Sequence, residues 1–236
     1  MMTAPIARRV TAEAVGTALL VAIIVGSGIF AQRLSAGATG LQLLENSTAT
    51  AAGLVALILA FGSVSGAHFN PVVSLADRIF GGLSTRELAM YVPAQVVGAC
   101  VGAVVANVMF DLDAVTLSTE VRSGAGVFLG EVVATFGLVL VILGVVRSGR
   151  VATVPFAVAG YIAAAYWFTS STSFANPAVT IGRTLTDTFA GIAPASAPAF
   201  IVAQVLGAFA AVGLGRYLYP DLPSLAIVIP HEADVT

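Results

Sequence analysis

The chain has 236 residues, of which 58% are hydrophobic and only 9% are charged. Because a water-soluble domain carries about 25% charged residues, this composition cannot cover a surface that faces water. The ten basic residues are all arginines and form no basic run, so no nucleic-acid-binding surface is expected. The single cysteine excludes a disulfide framework. We therefore expect a membrane protein whose surface contacts lipids.

Six apolar stretches predict six transmembrane helices. They lie at about 8–30, 45–64, 85–110, 125–147, 152–171 and 194–219. Two further stretches, at about 69–80 and 175–189, follow polar, Gly- or Ser-rich segments and are too short to cross a bilayer. The sequence thus predicts an all-α membrane protein with six transmembrane helices and two re-entrant half-helices, in a single domain of residues 1–236.

The distribution of the arginines predicts the orientation in the membrane. If the N-terminus is cytoplasmic, three arginines lie outside (Arg33, Arg122 and Arg183) and the other seven lie inside. Because positive residues are enriched in cytoplasmic loops, we expect both termini in the cytoplasm and the chain in the cell inner (plasma) membrane. The polar residues 220–236 are expected to form a cytoplasmic tail.

Three short motifs occur twice, in the same order. The matched pairs are Glu13-Ala-Val-Gly-Thr17 with Glu131-Val-Val-Ala-Thr135, Asn70-Pro-Val-Val-Ser-Leu-Ala-Asp77 with Asn176-Pro-Ala-Val-Thr-Ile-Gly-Arg183, and Ala94-Gln-Val-Val-Gly-Ala99 with Ala203-Gln-Val-Leu-Gly-Ala208. Each half, at about 8–110 and 125–219, has three spans, so the second half enters the membrane from the opposite side. The chain is therefore predicted to be an inverted repeat with its functional site between the halves.

The two Asn-Pro pairs predict where the half-helices begin. Asn is a favoured N-cap residue, and Pro suits the first helical position because no acceptor is needed there. The symmetry brings both helix N-termini together near the midplane, where their positive dipole ends disfavour cations and hopping protons. A water-filled path for small uncharged molecules is expected there. Its centre is predicted to comprise Asn70, Pro71, Val72, Asn176, Pro177 and Ala178.

These motifs resemble those of the aquaporin (major intrinsic protein) family over nearly the whole chain. The match lies in Ser65-Gly-Ala-His-Phe-Asn-Pro-Val-Val, in Asn176-Pro-Ala and in both Gln-x-x-Gly-Ala blocks. The resemblance implies passive flux, a homotetramer with one pore per subunit, and His68 on the inner pore wall. It also implies structural roles for buried polar residues: Glu13 and Glu131 would hold the half-helix loops by hydrogen bonds, with Gln95 and Gln204 beside them.

The sequence departs from the family at the predicted selectivity filter. Val179 follows Asn176-Pro-Ala, where the family usually has Arg, and Val72 replaces the usual Ala of the first motif. Counting from the motifs places Thr50, Ala164 and Ser173 at the other filter positions. None of the three is aromatic, and Tyr166 is interpreted as a packing or interfacial residue. A pore wider than that of a strict water channel is therefore expected.

Arg183 and Asp77 occupy equivalent positions in the two half-helices. Residues seven apart on a helix differ by about 20° in direction and roughly 10 Å in height, so Arg183 is predicted to reach the filter from one turn further out. Asp77 is predicted at the inner mouth. Three alternatives remain open: Arg183 pairs with Asp187, Asp77 is solvated at a cytoplasmic turn, or His68 is a loop histidine bonded to backbone.

The predicted function is passive flux of small neutral solutes. The stretch from Asn176 to Gly191 resembles that of bacterial aquaporin-like channels linked to arsenic detoxification, which suggests arsenite, methylated arsenic acids or glycerol as solutes besides water. The alternatives are a water-selective aquaporin, a sealed pore, and an ion-coupled transporter that uses Glu13 and Glu131. No cofactor, metal site or enzymatic activity is expected.

Overall fold

The computed structural model describes residues 4–220, and every regular element in that part of the chain is helical. Six helices are long and apolar enough to cross a membrane: α1 Ile6–Leu34, α2 Thr39–Ser65, α4 Thr85–Met109, α5 Ala125–Arg147, α6 Val154–Phe168 with the preceding 3-10 turn, and α8 Ala197–Leu218. Two short helices, α3 (Pro71–Phe80) and α7 (Pro177–Gly182), lie between them. The predicted tail, residues 220–236, lies outside the described residues except for Pro220.

The second half-helix is shorter than the predicted 175–189. Helix α7 ends at Gly182 and continues as a 3-10 turn over Arg183–Leu185. The backbone amides of Thr116 and Ser118, in the α4–α5 loop, donate to the carbonyl oxygens of Leu185 and Thr184. Because these carbonyls are bound by another segment, they are not available to continue the helix.

The two halves are built alike. Helix α1 packs on α4, and α5 packs on α8. Glycine is required at both crossings: a Cβ atom on Gly98 would lie 2.2 Å from the Ala14 oxygen, and one on Gly207 would lie 2.4 Å from the Val132 oxygen. Small residues at membrane helix contacts allow this approach. These glycines belong to the repeated Gln-x-x-Gly-Ala blocks, so the repeated motif makes the same close helix contact in both halves.

Candidate solute pore

The two Asn-Pro motifs cap the half-helices. The Asn70 side chain accepts a hydrogen bond from the Val72 amide at 3.1 Å, and Asn176 accepts from the amides of Ala178 and Val179 at 3.0 and 3.2 Å. In each helix the proline occupies the first turn, where a missing N–H leaves no partner unsatisfied. The local sequence thus starts a helix at each motif.

The two caps are joined across the molecule. The Asn70 amide nitrogen donates to the Ala175 carbonyl at 2.8 Å, and the Asn176 amide nitrogen donates to the Phe69 carbonyl at 2.7 Å. Since each side-chain amide has two N–H groups, one on each asparagine is left for a solute in the cavity that both residues line. The helix N-termini therefore meet at a site that donates hydrogen bonds.

The loop before each motif has a backbone that L-residues rarely adopt. Positive φ values occur at Ala67 and Phe69 in the first loop and at the equivalent Ser173 and Ala175 in the second. A non-glycine residue in this region costs about 1–3 kcal/mol and persists only where its surroundings enforce it. The alternation directs successive backbone N–H groups to one side, as in anion-binding nests.

A buried glutamate receives these N–H groups in each half. Glu13 accepts from the amides of His68 at 3.0 Å and Phe69 at 2.7 Å. Glu131 accepts from the amides of Phe174 and Ala175, each at 2.9 Å. Neither carboxylate lies on the cavity wall. Hydrogen bonding to the carboxylate offsets the cost of its burial and holds the loop in its strained conformation.

A glutamine completes each network. Gln95 donates to Glu13 at 2.8 Å and to the Ser74 hydroxyl at 2.9 Å. Gln204 donates to Glu131 at 2.6 Å and to the Thr180 hydroxyl at 2.9 Å. Ser74 and Thr180 each lie four residues after their motif asparagine. The same network therefore ties loop, half-helix and last span together in both halves.

One cavity runs past both asparagines. Pro71, Val72, Pro177 and Ala178 are buried but do not line it. Its inner wall, on the side of the α1 N-terminus, is apolar and is formed in part by Leu54, Ile58, Leu138, Ile142 and Val158. His68 also lines the cavity, and the other polar side chains of the wall lie at the centre and on the outer side. The wall thus combines apolar surface with a few polar groups.

The outer part of the cavity wall contains an aromatic residue. Thr50, Ser173 and Val179 line the cavity, but Ala164 lies on the exposed side of α6. Tyr166 takes its place on the wall, with its hydroxyl 3.2 Å from the Thr50 hydroxyl. The prediction of Ala164 is therefore wrong, because two residues along a helix correspond to about 200° and point to the opposite face.

Arg183 lies at the outer end of the cavity and is only 3% exposed. Its Nε donates to the Ala190 carbonyl, and its guanidinium carbon lies 3.4 Å from the centroid of the Phe174 ring. Asp187 instead accepts from the amide and hydroxyl of Thr119, at 2.8 and 3.0 Å. The alternative pairing of Arg183 with Asp187 is thus wrong, and the guanidinium faces the pore.

The inner histidine and aspartate lie together. The Nε2 atom of His68 is 3.7 Å from an oxygen of Asp77, and its Nδ1 is 2.9 Å from the Ser74 hydroxyl. His68 lines the cavity, whereas Asp77 is 1% exposed and does not. Asp77 is therefore neither a wall residue of the inner mouth nor solvated at a turn, because it is buried against His68.

Comparison with known proteins agrees with this architecture. The pattern of the major intrinsic protein family matches residues 1–164 and 146–234. The chain belongs to this family. It is 50% identical over 227 residues to aquaglyceroporin AqpS of Rhizobium meliloti (strain 1021), with 96% of this chain and 97% of that protein covered. It is 31% identical to the probable aquaporin AqpM of Archaeoglobus fulgidus over 92% of this chain and 99% of that protein.

The fold is also that of a solved major intrinsic protein. The X-ray structure of the aquaglyceroporin from Plasmodium falciparum superposes with a TM-score of 0.69 at 21% identity, covering 92% of this chain and 98% of that one. The family and fold class predicted from the sequence are confirmed. The protein is a multi-pass membrane channel for small solutes and not an enzyme, as the sequence predicted.

Sequence reasoning missed three residues of this major intrinsic protein's outer mouth. In the sequence, nothing distinguishes Tyr166 and Phe174 from other apolar residues of the chain. Arg122 lies in the α4–α5 loop, where the orientation argument placed it outside the membrane but gave it no further role. Its guanidinium donates to the carbonyls of Gly191 at 2.9 Å and Phe189 at 3.2 Å. These carbonyls flank that of Ala190, so Arg122 braces the segment that holds Arg183.

Proposed function

We propose that this channel conducts glycerol and, in their uncharged forms, the metalloid acids arsenite and methylated arsenicals, together with water, down their concentration gradients. One observation carries the proposal: Val179 lines the cavity directly after the second motif, and the guanidinium comes from Arg183, one turn further out. A valine leaves room where an arginine side chain would cross the lumen. The guanidinium still supplies donors to hydroxyl groups at the mouth.

The walls suit solutes that carry several hydroxyl groups on a small core. Thr50, Tyr166 and Ser173 offer hydroxyls at the outer constriction, and Val179 offers an apolar surface beside them. Pockets for small molecules commonly combine apolar walls with a few placed polar groups. The curated relative named an aquaglyceroporin, at 50% identity, supports glycerol as a solute.

Electrostatics and the positions of the glutamates favour uncoupled flux of uncharged solutes. Two half-helix N-termini and Arg183 place positive potential in the cavity, which disfavours cations. Ion coupling would need an ionisable group that the solute and a proton share. Because Glu13 and Glu131 are held by loop amides and lie off the cavity wall, they supply no such group.

The proposed setting is a homotetramer in the cell inner membrane, with both termini cytoplasmic. On one side of the molecule Arg9 pairs with Glu87, and Arg216 lies over the Phe80 ring. Arg33 and Arg122 lie on the other side, which has fewer arginines than the first. The asymmetry supports the orientation. The native mass of the detergent-purified protein, corrected for bound detergent, tests the tetramer.

Stopped-flow light scattering of proteoliposomes tests the solutes. Vesicles with the protein should admit glycerol and arsenite faster than protein-free vesicles, and ionophores should leave the rates unchanged. Val179→Leu should slow glycerol entry, because it adds a CH₂ group at the constriction. Val202→Leu makes the same change at a 53% exposed position of α8 and is the matched control. Water flux with glycerol and arsenite both excluded would contradict the proposal.

A further inference from the structure

The outer mouth holds a buried positive charge without an anionic partner. Within residues 4–220 no ion pair includes Arg183, and its two terminal guanidinium nitrogens make no hydrogen bond there. A buried charge is costly unless it is paired or hydrogen-bonded. The guanidinium lines the cavity, so its free donors face the path that solutes take.

A second polar group on the same wall also has no partner. Ser173 is among the residues that line the cavity, and its hydroxyl oxygen is buried and makes no hydrogen bond within the described part of the chain. Unsatisfied buried hydroxyls are rare in native structures and call for an explanation. Ser173 immediately precedes Phe174, on whose ring the Arg183 guanidinium lies. Both residues line the same cavity, and Ser173 is the chain neighbour of the aromatic residue that the guanidinium contacts.

The surrounding charges favour an anion at this corner. The guanidinium carbons of Arg183 and Arg122 lie 3.4 and 5.3 Å from the centroid of the same Phe174 ring, so they are less than 9 Å apart. No carboxylate is among the residues that line the cavity: Glu131, the buried carboxylate that acts on Arg183, lies off the wall and accepts hydrogen bonds from the loop amides. The half-helix dipole ends at the centre add to this positive potential. An anion entering from outside thus meets cationic groups and no negative wall group.

We propose that the outer mouth contains a binding site for small monovalent oxyanions, formed by the Arg183 guanidinium and the Ser173 hydroxyl, at which a bound anion blocks neutral solutes. The guanidinium fork binds two oxygens of one group, which favours carboxylate or sulfonate over a spherical ion. The bound ion stays at the mouth because the inner wall is apolar except for His68 and offers few groups to replace the ion's hydration.

Methanesulfonate is a suitable probe, since it is small, always charged and does not cross lipid as a neutral acid. It should be present on both sides of proteoliposomes while osmotic water permeability and glycerol permeability are measured. Both should fall by roughly half at a concentration equal to the dissociation constant, which we expect in the millimolar range. Sodium chloride at the same ionic strength should have a much smaller effect.

Variants assign the effect to the site. Arg183→Leu should abolish the inhibition, and Ser173→Ala should raise the concentration needed for it several-fold. Arg183→Lys keeps the charge but loses the fork, so inhibition should be weakened. Arg33→Leu removes an exposed outer arginine, which bonds the Phe110 carbonyl away from the pore, and should leave inhibition unchanged.

Two outcomes would overturn the site. The first is that methanesulfonate does not inhibit the unmodified protein. The second is that chloride inhibits it equally, or that methanesulfonate inhibits the Arg183→Leu variant equally. The second outcome would show an effect of ionic strength or surface charge. The site rests on the proposed function only in needing an open pore. If glycerol is excluded but water passes, the proposed function fails, and inhibition of water flux still decides the site.

Discussion

Replacing Glu131 by Gln should release the outer pore loop. One carboxylate oxygen accepts from the Phe174 amide, and the other accepts from Ala175 and Gln204, at 2.6 to 2.9 Å. A glutamine keeps one carbonyl oxygen as an acceptor but replaces the other oxygen by an NH₂ group. That NH₂ group would face the N–H donors of the loop or of Gln204. Hydrogen bonds to charged groups contribute about 1.5–3 kcal/mol each, so one or two lost bonds cost about 2–5 kcal/mol. The melting temperature in detergent should fall by about 5–15 °C.

The matched control for this variant is Glu120→Gln, at an exposed position of the α4–α5 loop. It removes the same charge on the same side of the protein without touching the buried network. Glu13→Gln should reproduce the loss at the inner loop, since Glu13 has equivalent partners. If Glu131→Gln melts like Glu120→Gln and keeps its selectivity among solutes, the carboxylate does not hold the loop.

Further substitutions test the filter, its brace and the helix crossing. Val179→Arg brings a second guanidinium towards Arg183, and two such charges 5 Å apart repel by about 3 kcal/mol at an effective dielectric of 20. Glycerol flux should therefore fall at least tenfold, while water flux is largely kept. Unchanged glycerol flux would place Val179 outside the filter. Arg122→Leu frees two carbonyls of the loop that holds Arg183, so erythritol flux should rise relative to glycerol flux, whereas an unchanged ratio would make the brace irrelevant. Gly98→Val forces a contact of 2.2 Å with α1 and should abolish folded, monodisperse protein on size-exclusion chromatography, whereas Gly213→Ala, with nothing within 4 Å, should be tolerated.

The sequence predicts the scaffold well because its signals are local or repeated. Apolar length gives the six spans, and the Asn-Pro pairs give the starts of the half-helices. Glu13 and Glu131 stand out because an ionisable residue inside a span needs partners. Arg183 is placed at the mouth because the six residues of helix α7 connect it to Asn176. In each case a fixed distance along the chain determines the position.

The α6 residue on the cavity wall could not be predicted in this way. Helix α6 is apolar around most of its circumference, so its composition does not indicate which face meets the pore. Without that signal, a shift of two residues exchanges Ala164 for Tyr166. Arg122 was beyond prediction for a different reason. It acts through main-chain carbonyls some 70 residues away in the chain, and carbonyls have no sequence signature.

The reciprocal bonds between the two asparagine caps have a consequence for biosynthesis. The Asn70 amide bonds the carbonyl of a residue 105 positions later in the chain, and the Asn176 amide bonds one 107 positions earlier. At about 5–20 residues per second, the ribosome delivers the second motif roughly 5–20 s after the first. During that interval the Asn70 side-chain amide lacks the Ala175 carbonyl as its acceptor. The contact that joins the two half-helices can therefore form only after the second motif has been synthesised.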